Sequence, residues 1–285
     1  MTVQELWKEG KQELSDAGIQ DAELDSRYLL EWALKQSYSF LLLNPGYEAD
    51  REAVQTYRHG ILMRKNHKPL QYITGEQEFM GFSFRVNSHV LIPRQDTEIL
   101  VETVLKELKK LPRKEKKDYR ILDMCCGSGC IGLSIWKLLE QKWKVVLSDV
   151  SREALAVAEE NARRLEAKVE FIESDLFHNI HETYHVIVSN PPYIPSRVVD
   201  TLMPEVREQE PRLALDGKED GLYFYRKIVE QMKEHLEDEG CIFFEIGFDQ
   251  AEDVRQILVD AGLKQITVIQ DLAGLDRVVY ARKGR

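Results

Sequence analysis

The chain has 285 residues, 43% of them hydrophobic and 31% charged, with a net charge of −10. That length suffices for one large domain and a smaller one. The acidic balance argues against a surface built to coat nucleic acid, which needs clustered Lys and Arg to displace phosphate counterions.

Residues 1–10 contain no apolar core of a secretory signal, and no uninterrupted apolar run reaches the length of a membrane span. A cytoplasmic protein without membrane contact is expected. The four cysteines, Cys125, Cys126, Cys130 and Cys241, form no Cys-x-x-Cys and have no neighbouring His pair. Neither a metal site nor a disulfide framework is expected from them.

Residues 1–68 read as a small helical domain. Leu6, Leu14, Leu24, Tyr28, Leu29, Trp32 and Ala33 recur at helical spacing, Asn44-Pro45-Gly46-Tyr47 makes a turn, and a second helical run covers 51–64. No chemistry is visible there; the domain suits holding a partner or covering a site. Over 69–92 the pattern alternates apolar with polar residues in Leu70-Gln-Tyr-Ile-Thr-Gly and Glu78-Phe-Met-Gly-Phe-Ser-Phe-Arg-Val. This predicts a β-hairpin linking two domains. The second domain, 93–285, opens with a helix from Ile99 to about Leu108, N-capped by Asp96 or Thr97, and a charged connector over 109–117.

Next, Arg120-Ile-Leu-Asp-Met-Cys-Cys-Gly-Ser-Gly-Cys-Ile-Gly reads as strand, glycine turn and helix, the first βα unit of a doubly wound α/β sheet. Gly127 and Gly129 let the backbone approach a ligand, and the helix starting near Cys130 points its N–H groups at it. The strand Val145-Val-Leu-Ser ends in Asp149, placed to take both hydroxyls of a ribose. A helix over 152–165 and a strand over 169–172 lead to Asp175, a candidate acceptor for an adenine amino group, and Leu176, a candidate surface for the base. Gly127, Gly129, Asp149, Asp175 and Leu176 are candidate cofactor-binding residues, and with them are taken Asp123, Cys125, Cys126 and Ser128 of the same strand and turn, and Asn190.

The strand His185-Val-Ile-Val then runs through Ser189 into Asn190-Pro191-Pro192-Tyr193. Two prolines end the strand, since neither has an N–H and both fix φ, and they push Asn190 towards extended geometry. The result is a stiff ledge at a strand's carboxyl end, where open α/β sheets bind ligands. The Asn190 carboxamide oxygen and the Pro191 carbonyl can each accept one hydrogen of a planar –NH2 group, and Tyr193 can cover that group. Asn190, Pro191, Pro192 and Tyr193 are the candidate catalytic residues. After a long polar connection over 198–222, helices over 222–236 and 250–261, a buried strand over 241–247 and a late antiparallel pair over 266–269 and 277–281 complete the reading.

The glycine turn by itself leaves a nicotinamide dinucleotide open as the cofactor, but no histidine sits in an evident hydride-transfer motif. The Asn-Pro-Pro-Tyr ledge resembles the amino-group grip of S-adenosylmethionine-dependent N-methyltransferases. Asp123-x-Cys-Cys-Gly-Ser-Gly, Ser189-Asn-Pro-Pro-Tyr-Ile, Phe244-Glu-Ile-Gly and Asp271-Leu-Ala-Gly-Leu-Asp-Arg-Val, with Ile92-Pro-Arg-Gln-Asp-Thr-Glu upstream, resemble the release factor glutamine methyltransferases of the HemK type.

The resemblance covers nearly the whole chain. It implies a class I, Rossmann-like sheet with a helical N-terminal domain that engages the substrate. It also implies methylation of the glutamine amide in the Gly-Gly-Gln of peptide chain release factors, with S-adenosyl-L-methionine converted to S-adenosyl-L-homocysteine.

Two departures from that family's usual pattern involve three residues. Cys125 and Cys126 stand where Gly-Thr is usual, and Gln95 where a proline is usual. Cys125 brings a Cβ to the cofactor's methionine end. A rival reading keeps the chemistry and takes an exocyclic amino group of a nucleic-acid base as substrate. Net acidity and the lack of a basic, aromatic-rich strip stand against it, and against stable nucleic-acid binding. A non-catalytic adaptor is a third reading, opposed by the intact glycine turn, Asp149 and ledge.

Overall fold

The computed structural model describes residues 1–110, 119–139 and 143–284. Of the charged connector read over 109–117, residues 111–117 lie outside the described part. The chain divides into two compact units, Met1–Glu76 with Met203–Gln209, and Gln77–Leu202 with Glu210–Arg285.

The first unit is helical: α1 (Val3–Asp16), α2 (Ala22–Leu34), α3 (Tyr38–Leu43), α4 (Arg51–Lys65) and α5 (Leu70–Thr74). Thr2 and Glu5 open α1 with a reciprocal capping box, and Asp50 caps α4 by accepting from Ala53 N–H at 2.8 Å. Leu6, Leu14, Leu29, Leu30, Tyr57 and Ile61 close the core between α1, α2 and α4. Gly10 lets Tyr57 in: a Cβ there would stand 1.9 Å from the Tyr57 hydroxyl. Arg64 lies inside this unit, its Nε 2.6 Å from Asp25 and its Nη2 2.7 Å from Glu205.

Residues 70–74 form a helical turn where a strand is expected. Leu70, Tyr72 and Ile73 fit both periods over so short a run, and what decides is Pro69. Its carbonyl accepts from Tyr72 and Ile73 N–H at 3.0 and 3.2 Å, starting a turn that Gly75 ends at φ 79°. The hairpin is accordingly narrower, β1 (Glu76–Phe79) and β2 (Phe82–Arg85), joined through Met80 and Gly81, both at positive φ.

In the larger unit, a 3-10 turn at Gln95–Thr97 leads into α6 (Glu98–Lys110). Then follow β3 (Arg120–Met124), α7 (Cys130–Leu138), β4 (Lys144–Asp149), α8 (Arg152–Arg164), β5 (Glu170–Glu173) and β6 (Tyr184–Ser189). The connection after β6 carries three short helices, α9 (Ser196–Val199), α10 (Pro204–Arg207) and α11 (Arg212–Leu215), where only loop is expected. It is followed by α12 (Tyr223–Gln231), β7 (Leu236–Glu245), α13 (Ala251–Asp260), β8 (Lys264–Gln270) and β9 (Asp276–Arg282). The helix expected over 222–236 ends earlier, because Leu236 already pairs with Tyr184 in the sheet.

These strands form one seven-stranded sheet in the order β5-β4-β3-β6-β7-β9-β8. The neighbours from β5 to β7 are parallel, and β9 runs antiparallel to both β7 and β8. Ile121-Leu122, Val145-Val146-Leu147 and Val186-Ile187-Val188 are buried to 1% exposure or less, as continuous apolar strands covered on both faces must be. The chain winds outward from β3 through β4 to β5, then returns to lay β6 against the other side of β3. This reversal opens the crevice between the carboxyl ends of β3 and β6. Register pairs Met124 with Ser189, so the residues that follow, Cys125 and Asn190, leave the sheet side by side.

Candidate active site

A cleft of about 1150 Å3, including its mouth, opens at this crevice. Cys125, Cys126, Gly127, Ser128, Asp149, Asp175, Leu176, Asn190 and Pro192 line it. Nine of the sequence-derived residues thus come together from four strand ends. Asp123, Gly129, Pro191 and Tyr193 adjoin these residues in sequence and are not among its lining residues.

The glycine turn is braced from below. Cys126 N–H donates to the Ser148 carbonyl at 3.0 Å. Gly127 N–H donates to Asp149 Oδ2 at 2.8 Å, and Ser151 N–H to Asp149 Oδ1 at 2.9 Å. Burial raises the Asp149 pKa, while these backbone N–H groups hold it down. A Cβ on Gly127, at φ 53°, would meet nothing within 4 Å, so its face is open to the cleft. Gly129 is tighter: at φ 78°, a Cβ would stand 2.8 Å from Leu147 Cδ2 and 3.1 Å from the Ala158 Cβ. Cys125 takes φ 59° without being glycine.

Asp123 is fully buried and faces α7 rather than the cleft. Its Oδ2 accepts from Gly132 N–H at 2.8 Å, Oδ1 has no hydrogen-bond partner, and burial pushes its pKa up to about 7. Asn161 of α8 ties the turn to the hairpin, donating to the Ser128 carbonyl at 2.9 Å and the Arg85 carbonyl at 3.0 Å. Ser174 orders the next strand end, its hydroxyl donating to the Leu176 carbonyl at 2.8 Å and its N–H to the Asp149 carbonyl at 2.9 Å.

Burial disfavours the thiolate form of the cysteines in this turn. All four cysteines are free, and burial pushes Cys125 and Cys126 up and Cys130 up to about 12. Among the described residues no group of His, Cys, Asp or Glu could hold a metal ion, and no helix is long and apolar enough to cross a membrane.

At the ledge, Ser189 hydroxyl donates to the Met124 carbonyl at 2.7 Å, locking β6 to β3 just before Asn190. Pro191 and Pro192 are buried and Asn190 is half-buried. Tyr193 turns its hydroxyl inward, 3.3 Å from Glu245 Oε1 at the end of β7. Burial raises the tyrosine's pKa.

Other lining residues have no ligand-binding role in the sequence reading: Pro93, Arg94 and Thr97 (there only a candidate N-cap) before α6, and Pro211, Leu213 and Ala214 around α11. Arg94 Nη2 pairs with Glu210, whose side chain is buried. Pro93, Arg94 and Thr97 lie in the stretch Ile92–Glu98 that shares in the family resemblance, but nothing local assigns any of these six side chains to a cleft.

A methyltransferase small domain model matches residues 95–218, and a PrmC N-terminal domain model matches 5–75. The release factor glutamine methyltransferase of Clostridium botulinum is 42% identical over 99% of this chain and 100% of its own length. The chain belongs to the release factor glutamine methyltransferase family. The family's enzyme from Geobacter sulfurreducens is 40% identical, over 95% of this chain and 93% of its own. A solved methyltransferase from Pyrococcus furiosus, 16% identical, superposes with a TM-score of 0.50 over 80% of this chain and 98% of its own, a likeness of fold. The expected Rossmann-like α/β sheet with an N-terminal helical unit is the fold observed, and the protein is a methyltransferase of this family.

Proposed function

We propose that the protein transfers a methyl group from S-adenosyl-L-methionine to the side-chain amide nitrogen of the glutamine in the Gly-Gly-Gln of peptide chain release factors. The observation that carries this reading is the Met124–Ser189 register, which sets the Cys125–Gly127 turn and the Asn190 ledge on one crevice.

The cleft suits the cofactor on its own chemistry. Asp149 uses its two oxygens on backbone N–H groups and keeps lone pairs for ribose hydroxyls. Ser148 Oγ is buried beside it with no hydrogen-bond partner, and Gly127 leaves open space where a side chain would intrude. Asp175 and Leu176 would hold the base. Bound there, S-adenosyl-L-methionine supplies an electrophilic sulfonium methyl.

The chain's own contribution is alignment. An amide nitrogen is a poor nucleophile because its lone pair is delocalised into the carbonyl. The Asn190 carboxamide oxygen and the Pro191 carbonyl would each accept one of its hydrogens, drawing the lone pair back onto nitrogen and aiming it. Catalysis then rests on positioning and preorganised dipoles, and the methylated nitrogen would release its surplus proton to solvent. The N-terminal helical unit would engage the release factor.

Incubation with methyl-labelled S-adenosyl-L-methionine and, separately, release factor, its Gln-to-Ala variant in the Gly-Gly-Gln, bulk RNA and bulk DNA tests this. Label is expected on the unsubstituted release factor alone. Label on nucleic acid would replace this reading with the base-amine one.

A further inference from the structure

The ledge has an anchoring problem that its sequence creates. Pro191 and Pro192 have no N–H, so two consecutive residues have no backbone donor to tether them. If the ledge's carbonyls must stay free for a substrate's –NH2, it has to be held at its ends. The near end is the Ser189–Met124 hydrogen bond within the sheet.

The far end is held by Gln250, just before α13 and 7% exposed. Its Nε2 donates to the Tyr193 carbonyl at 3.0 Å and lies 3.4 Å from the Gly221 carbonyl. Its Oε1 accepts from Gly247 N–H at 3.0 Å. Two carbonyls on one side and an N–H on the other fix which way the amide faces.

The surroundings are built to the same fit. Ile194 N–H donates to the Leu215 carbonyl at 3.0 Å, and Gly217 N–H to the Ile194 carbonyl at 2.8 Å. A Cβ on Gly217 would stand 2.7 Å from Tyr193 Cα and C. One on Gly221 would stand 2.3 Å from the Tyr193 carbonyl oxygen and 2.6 Å from Gln250 Nε2. Backbone at these positions packs directly on the ledge, with Gln250 as the polar bolt through it.

We propose that Gln250 is a positioning residue for the transfer reaction, holding the Asn-Pro-Pro-Tyr ledge in its amide-gripping geometry through the Tyr193 carbonyl. The proposal rests on the function inferred above. Without this grip the ledge turns about the ψ angles of its prolines, and a misplacement of about 1 Å costs on the order of 10²-fold in rate.

Gln250→Glu separates positioning from mere support. The introduced carboxylate still accepts from Gly247 N–H but meets the Tyr193 carbonyl with an oxygen; protonated, its O–H donates again. At pH 8 we expect kcat on release factor to fall ~30- to 100-fold with cofactor Kd changed less than about twofold. The deficit against the wild type should shrink as pH falls towards about 5.5, because burial raises a carboxyl pKa. Gln250→Ala should lose as much and recover nothing at low pH. Wild-type turnover in either variant overturns the proposal. So do identical pH profiles, or losses in kcat and cofactor affinity that move together.

A crystal structure of Gln250→Ala gives a readout free of substrate: the ledge should shift, and an unmoved ledge refutes the role. A wild type that binds S-adenosyl-L-methionine but methylates no release factor defeats the functional reading, and the crystal structure still decides the positioning.

Discussion

Tyr193 gives its phenolic hydrogen to Glu245 across 3.3 Å, in a place with almost no water: Glu245 is 2% exposed and its second oxygen has no hydrogen-bond partner. Burial pushes the Glu245 pKa from 4.5 up to about 7, against hydrogen bonds from Thr97 and Tyr193 and the charge of Arg277. The folded state therefore keeps this proton to higher pH than the unfolded chain. The stability it brings is fully present below about pH 4.5 and is lost as pH rises through about 7. Asp123, raised from 3.8 to about 7, acts in the same direction. Urea midpoints should fall as pH rises from about 4.5 to about 7, and Glu245→Gln should flatten that fall by an amount on the order of 3 kcal/mol at most. An unchanged slope would show that Glu245 is ionised throughout.

Asn190→Ala removes one of the ledge's two acceptors and leaves the glycine turn, Asp149 and Asp175 to hold the cofactor. Turnover on release factor should drop ~10²- to 10³-fold while cofactor affinity stays within about threefold. Single-turnover kinetics beside calorimetry reads both; unchanged turnover would take Asn190 out of the reaction.

Asp149 is both a cofactor ligand in this reading and the brace of the glycine turn through Gly127 and Ser151. Asp149→Ala should weaken S-adenosyl-L-methionine binding by about 10- to 100-fold, the loss of charged hydrogen bonds worth roughly 1.5–3 kcal/mol. Calorimetry measures it directly, and an unaltered affinity would rule out the ribose contact.

In the helical unit, Arg64 stands between two carboxylates, Asp25 at 2.6 Å and Glu205 at 2.7 Å, with the Arg64 and Asp25 side chains both under 10% exposed. Removing the cation strands Asp25, whose pKa burial already raises. Arg64→Met should cost about 3–5 kcal/mol in denaturant unfolding. Adding Asp25→Leu should restore part of that, since the stranded charge is then gone; no restoration would mean that the packing of Arg64 dominates.

The sequence by itself determined the local pieces: apolar runs that had to be buried strands, a glycine turn with an acidic strand end downstream, and a diproline ledge whose stiffness is covalent. Such features depend on near neighbours, on side-chain period and on fixed φ, so composition and spacing express them. Where one apolar pattern fits both periods, as over 70–74, the helical turn started by the Pro69 carbonyl decides between them.

Tertiary structure alone decided which pieces meet. The Met124–Ser189 register puts Cys125 beside Asn190, Tyr193 turns back to Glu245, and Gln250 reaches across 57 residues to hold the ledge's far end. The physical reason is that strand order and register are settled by burial summed over the whole sheet. The hydrogen bonds across the crevice are consequences of that sum, which no short stretch of chain contains.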